Sequence, residues 1–444
     1  MNTCEFNNYI LPEFTVNYET GFLPRHDPLE RLPEKFDIIN QILDEMPLIK
    51  DNGEKGLLAK GTLGSTILEK LPIFFEKEEI PENSRLLAAL FRDYTFLASA
   101  FLLEPCHLNF LENGNYGLGR DYLPVSIALP LIKISEKLKC YPFMEYAMSY
   151  ALMNWTKIDP NGDIEYNNLK LIRKFSNCFS ERGFIITHVT MVKYTGKFIE
   201  AIENFIKTKK NAMEIFKTIE LINSEMSTMW KKSYPNDYLG FRTFIFGIKN
   251  QPMFPNGVKY MLSSDNYVIY KFSGESGAND SIIPCLDNFL ELTSKFPENE
   301  FTNALREFRL YRPYNHIIYL NQLQKNCLGF RQSFLDCKYG NENTYAYILL
   351  LDQVRDFRLR HWNFIKRYIV EKTKHTVATG GTNIYFWTGN QLMTVLNTLI
   401  NDVYYITNNN SFENYEQINN ILKNSIEQKE NLKNELNNFK NTIL

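Results

Sequence analysis

The run from Asn343 to Lys374 constrains this chain most. Apolar, aromatic and imidazole side chains recur there at Tyr347, Leu350, Val354, Phe357, His361, Phe364 and Tyr368, with spacings of 3, 4, 3, 4, 3 and 4. Those spacings put the side chains on one face of an α-helix, and a stripe of that length has to be buried against other helices. His361 lies within it and points inward. A second stripe, Phe184, His188, Met191, Phe198, Ile202 and Phe205, predicts one long helix over Arg182–Lys207 with His188 inward as well. An inward histidine on a helix is ordinarily a hydrogen-bonded core residue. A neutral imidazole is also a standard axial ligand of haem, so both roles stay open for the pair.

Helical periodicity covers most of the chain, from Phe36 to about Cys106 and again from about residue 120 to 400. Before Phe36 the sequence is turn-rich, with Pro12, Pro24, Pro28 and Pro33. Alternation suited to strands is confined to Lys259–Phe272, which predicts a short hairpin. The expected fold is mostly α. The glycine and asparagine loop Asn113–Gly119 marks a boundary, giving a small N-terminal domain at 1–120 and a large helical domain at 121–405. A polar helix follows at 406–444. Tyr415, Ile418, Leu422, Leu432, Leu436, Phe439 and Ile443 form its apolar seam, with Ser425 and Lys429 between them. The seam suits packing on the chain's own domain or self-association as a coiled coil. Its polarity makes the tail look dispensable.

Charge excludes some functions. Lys and Arg total 49 against 51 Asp and Glu, a formal charge of −2 over 444 residues. This gives no footprint for nucleic acid or for an anionic membrane. The most apolar stretch, Phe96–Leu103, is far short of the ~20 residues of a membrane span. Seven cysteines, without CxxC or zinc spacing, predict free thiols in a reducing compartment and exclude covalent c-type haem attachment. No signal-peptide pattern opens the sequence, and a cytoplasmic protein is expected.

Three further places can carry chemistry. Arg242 follows Tyr238 by one helical turn in an apolar context, where a guanidinium needs an anion: an internal acid or a ligand carboxylate. The loops Ser273–Ala278 and Ala378–Thr382 hold glycines that permit close backbone approach or movement.

Taken together, these residues resemble the indoleamine 2,3-dioxygenase family of haem enzymes. The blocks that agree in order are Gly21-Phe22-Leu23-Pro24 with Leu32-Pro33, Leu123-Pro124 with Ile127–Pro130, Asn154-Trp155 with Asp159-Pro160, and Arg182-Gly183-Phe184. Arg242, Ser276-Gly277, Cys285–Asp287, Arg312-Pro313 with His316, Arg358–His361 and Thr379–Thr382 follow. The likeness runs from about residue 15 to 400, and the tail lies outside it. It implies a small N-terminal α/β domain and a large all-α domain holding noncovalent haem b. His361 would be the proximal iron ligand, with Asp287 and Arg358 as an ion pair behind it. Arg242 would bind the amino-acid carboxylate, Phe184 would wall the distal face, and Ser276 and Gly277 would lie beside the substrate. Thr379, Gly380, Gly381 and Thr382 would form a mobile lid. The implied partners are an aromatic amino acid, dioxygen and an unidentified reductant.

Some positions depart from the family pattern. His188 stands where the animal enzymes carry serine, Asp237 and Tyr238 stand for two pocket phenylalanines, and Ser99 stands for a pocket tyrosine. The first reading is cleavage of the tryptophan indole C2–C3 bond to N-formylkynurenine, with His188 orienting the substrate and Tyr238 contacting it. Hydroxylation of an aromatic amino acid, directed by His188, is the second. A haem-binding sensor is the third, in which Asp237 would occupy Arg242.

Overall fold

Asn83 accepts a hydrogen bond from the Leu86 N–H and so starts the helix Ser84–Asn113, which ends where Gly114 turns left-handed at φ 71°. Its side chains from Leu87 to Leu103 are all buried, because other elements cover it on every side. By length and composition it could cross a membrane, yet 94% of its most apolar window lies inside the protein. This computed structural model describes residues 12–375 and 377–443.

The chain is predominantly helical, as the periodicity predicts. Its hairpin pairs Val258–Met261 with Tyr267–Tyr270, inside the predicted segment, and Tyr122–Leu123 joins it in parallel. A second two-stranded ladder joins Trp155–Lys157 to Leu169–Leu171. Two expectations need correction. Among the described residues before Tyr122 there are isolated bridges but no strand, so the α/β label does not describe this segment. The reason is that Ser84–Asn113 and the short helices around it supply their own apolar layer. The predicted helix over Arg182–Lys207 is two helices, Phe179–Val192 and Thr195–Thr208. The break frees the Thr195 hydroxyl to accept from the Phe22 N–H at 2.9 Å. Phe198, Ile202 and Phe205 therefore belong to the general core and not to the face of His188.

Hydrogen bonds cross residue 120. Gly119 N–H donates to the Met253 carbonyl, and Ser99 Oγ to the Phe244 carbonyl at 2.5 Å. Ser99 is thus tied to the core.

The His361 helix spans Asn341–Ile365 and continues as a π-turn through Lys366–Val370. Ala212–Ser227 and Ile384–Asn409 pack along it. The terminal helix Tyr415–Ile443 lies across Ile384–Asn409 and back onto the His361 helix. Ile418, Ser425 and Leu432 are buried there. Glu435 accepts from Trp362 Nε1 at 2.5 Å and from Lys366 at 2.8 Å, while Arg355 donates to Gln428 at 2.7 Å. The middle of the seam is consumed within the chain, while Tyr415 at its start stays exposed, so the tail is a structural wall and not an appendage. The six described cysteines are unpaired.

Candidate functional site

The helices Phe179–Val192 and Asn341–Ile365 flank a cavity of about 1000 Å³, counting its mouth. That is at the upper end of the ~300–1,000 Å³ of small-molecule and cofactor sites. The His188 helix can come close to its neighbour because Gly183 has no side chain: a Cβ there would lie 1.6 Å from the Lys232 carbonyl oxygen.

One wall carries the stripe of the second helix, with Phe357, His361, Phe364 and Tyr368 all on the cavity. Burial, then the charge of Arg358, then His188 across the cavity hold the His361 imidazole at a pKa of about 4. It is neutral at pH 7. Its ring meets Trp387 edge-on at 6.3 Å, and no described residue hydrogen-bonds to it. Behind it, Asp287 Oδ2 accepts from Arg358 at 2.8 Å and from Arg309 at 2.7 Å. The resemblance had pointed to Asp287 and Arg358; Arg309 escaped it, because nothing in its local sequence distinguishes it from an exposed helical arginine.

The opposite wall holds Phe184, His188 and Tyr238, with Met191, Met226 and Met229 beneath. His188 Nδ1 lies 2.8 Å from the Phe184 carbonyl oxygen. A carbonyl can only accept, so Nδ1 carries the proton and Nε2 keeps a lone pair. Burial holds this imidazole at about 4 as well. Nε2 lies 3.9 Å from where a Cβ on Gly277 would sit. Ser276, Gly277 and the buried acids Glu275 and Asp280 complete that side. Asp280 accepts from the Ile282 N–H at 2.6 Å, and burial still raises its carboxyl to about 6. Both acids sit in the predicted loop region but were invisible as site residues, since neither belongs to a motif.

Arg242 is fully buried but stands behind this wall. Nη2 donates to the Val377 carbonyl at 3.1 Å, and the guanidinium lies 4.6 Å over the Phe246 ring. Nε and Nη1 have no partner. Asp237 does not occupy it: that carboxylate is exposed and accepts from Ser180 Oγ at 2.5 Å. The contact that motivated the sensor reading is therefore missing.

The lid segment divides. Thr379 lines the cavity, whereas Gly380, Gly381 and Thr382 line a separate shallow pocket with Lys249 and Phe308. Gly247 N–H donates to the Thr379 carbonyl at 2.9 Å, and Gln251 Nε2 to Ala378 at 2.6 Å. Gly381 has φ 88°, and a Cβ there would lie 2.2 Å from the Lys249 carbonyl oxygen, so the segment docks closely at that glycine.

These residues fit a noncovalent haem. A neutral imidazole without a competing hydrogen bond is presented to a cavity walled by methionine, aromatic and aliphatic side chains. The ion pair behind it fixes the helix that carries it.

The family model described as indoleamine 2,3-dioxygenase matches residues 10–435 of the chain. The match extends well into the terminal helix, beyond the limit near residue 400 expected from the sequence blocks. The chain is 25% identical over 390 residues to indoleamine 2,3-dioxygenase 1 of Rattus norvegicus, covering 86% of this chain and 89% of that protein. It is 25% identical over 383 residues to indoleamine 2,3-dioxygenase 2 of Mus musculus, covering 84% and 87%. With indoleamine 2,3-dioxygenase qulI of Penicillium citrinum it shares 27% over 392 residues, covering 82% and 80%.

Proposed function

The chain belongs to the indoleamine 2,3-dioxygenase family, and on that footing we propose that it is a cytoplasmic, haem b-dependent oxidoreductase that cleaves the indole C2–C3 bond of L-tryptophan, or of a close indole derivative, to give N-formylkynurenine. The observation that carries this reading is the pair of neutral imidazoles on opposite walls of one apolar cavity. Only His361 is both free of hydrogen bonds and braced from behind.

Haem held by His361 would supply the dioxygen chemistry, while the chain supplies placement and electrostatics. His188 Nε2 accepts a hydrogen bond from the indole N–H and so fixes the ring's orientation. Phe184 and Tyr238 wall the ring, and Ser276 and Gly277 border it. For Arg242 to take the carboxylate with its two N–H groups that lack a partner, the wall in front of it has to open; a buried guanidinium without an anion is costly until one arrives. Thr379 covers the bound amino acid, and Gly380 to Thr382 have to move in from their own pocket to complete a lid. Together these contacts hold the indole in near-attack geometry.

The test is turnover of L-tryptophan by the reduced haem-loaded protein under isotopically heavy dioxygen. N-formylkynurenine carrying both heavy atoms is expected. A product carrying one would make the protein a monooxygenase of the aromatic amino acid. Absence of turnover with haem bound would leave a haem-binding sensor.

A further inference from the structure

The cavity contains an ionisable group that the proposed chemistry has not used. Glu275 is 2% exposed, lines the cavity beside Ser276, and has no hydrogen bond or ion pair with any described residue. Other buried acids of the chain have a partner on at least one carboxylate oxygen. Asp287 has two arginines, Glu145 accepts from the Ala147 and Met148 amides, and Glu181 accepts from the Phe175, Ser176 and Asn177 amides. Arg360, the cation on the cavity wall, is taken by Asp356 at 2.5 Å and Asn223 at 3.1 Å. A carboxyl group left this way in an apolar cavity wants a cation from the ligand.

We propose that Glu275 is the ammonium-binding residue of the cavity, selecting aromatic ligands that carry a primary amine. The proposal rests on the same cavity as the dioxygenase reading and adds a recognition element to it. Burial, reinforced by Glu145, raises the Glu275 carboxyl to about 8. Alone it keeps its proton at pH 7, and an incoming ammonium stabilises the carboxylate. A hydroxyl or amide at this place would accept a hydrogen bond from any donor; an acid prefers a cation.

Equilibrium dialysis of the haem-loaded protein decides this, with ligands matched in the ring and differing in the amine: tryptamine against 3-ethylindole, and L-tryptophan against indole-3-propionate. Wild type should hold each amine at least tenfold more tightly than its partner. Glu275→Gln should lose that preference while its affinity for 3-ethylindole stays put. Glu275→Asp, which keeps the charge but withdraws it by one methylene, should retain part of it. No preference in wild type, or the same preference in Glu275→Gln, overturns the proposal. The two readings fail separately. Cleavage of tryptophan without an amine preference removes the role of Glu275 alone, and an amine preference without cleavage removes the dioxygenase reading alone.

Discussion

Behind His361, Asp287 joins Arg309 and Arg358, and Glu435 joins Trp362 and Lys366. Across the cavity, Glu275 has no cation, and Arg242, behind that wall, has no anion. The charges behind His361 meet charges of opposite sign within the protein, although Asp287 Oδ1 and Nε of both arginines stay without a hydrogen bond; Glu275 and Arg242 on the other side meet none. The wall that positions a cofactor ligand gains from rigidity, so its charges are cross-linked. The wall that recognises a substrate has to leave its charges available, and its exposure of unsatisfied groups is a cost to the fold that binding offsets.

That contrast is sharpest under truncation. Deleting 411–444 removes the cover of the His361 wall and the burial of Ile418, Ile421 and Leu432. At about 1.5–3 kcal/mol for each such side chain, the loss is about 5–9 kcal/mol as an upper estimate, comparable with a whole domain's stability. We expect little soluble, haem-loaded protein, measured by yield and haem per chain. Normal recovery would mean the tail is the dispensable appendage its polarity suggests.

His361→Ala should fold yet purify with little haem, because the remaining imidazole, His188, stands on the opposite wall without the Asp287 brace behind it. A normal haem content and Soret band would move the ligand elsewhere. Asp287→Asn leaves two arginines facing a neutral amide. Breaking a buried pair from one side costs about 3–5 kcal/mol, to be read by urea unfolding; a change below 1 kcal/mol would show that the brace is idle.

On the other wall the effects should be on ligands. His188→Ser should keep haem and weaken tryptophan binding by about 1–2 kcal/mol, roughly one net hydrogen bond. 1-Methyltryptophan, which lacks the N–H, should bind wild type and variant alike. Loss of oxygenation at unchanged affinity would make His188 a participant in the chemistry.

A further effect concerns pH. The Glu275 pKa is about 8 in the fold against a reference value of 4.5. The folded state therefore holds a proton that the unfolded chain releases, and stability from this group falls as pH rises from about 4.5 to about 8. Glu275→Gln removes that slope, so its melting temperature relative to wild type should be higher at pH 8 than at pH 5. An offset independent of pH would show that the carboxyl is solvated.

What the sequence revealed follows from periodicity. The His361 stripe could be read because seven positions obey one helical spacing, and all of them face inward. The second stripe misled beyond Val192, because a helix break leaves apolar spacing nearly intact while turning the axis. Asp287 and Arg358 were reached through the family blocks. Arg309 and Glu435 were not, since a charged residue on a polar helix carries no mark of the partner that tertiary folding brings to it. Glu275 was hidden for a related reason: its importance lies in having no partner, and only a folded environment can show that.

The placement of the terminal helix also sets an order of events during synthesis. Residues 415–443 are made after every element they cover, and some of them brace the turn next to His361. A chain folding from its N-terminus as it is made can assemble the substrate wall while the back of the His361 helix is still open. Secure capture of the cofactor then waits until the covering helix has been made, and during that interval nothing holds iron firmly between the two walls.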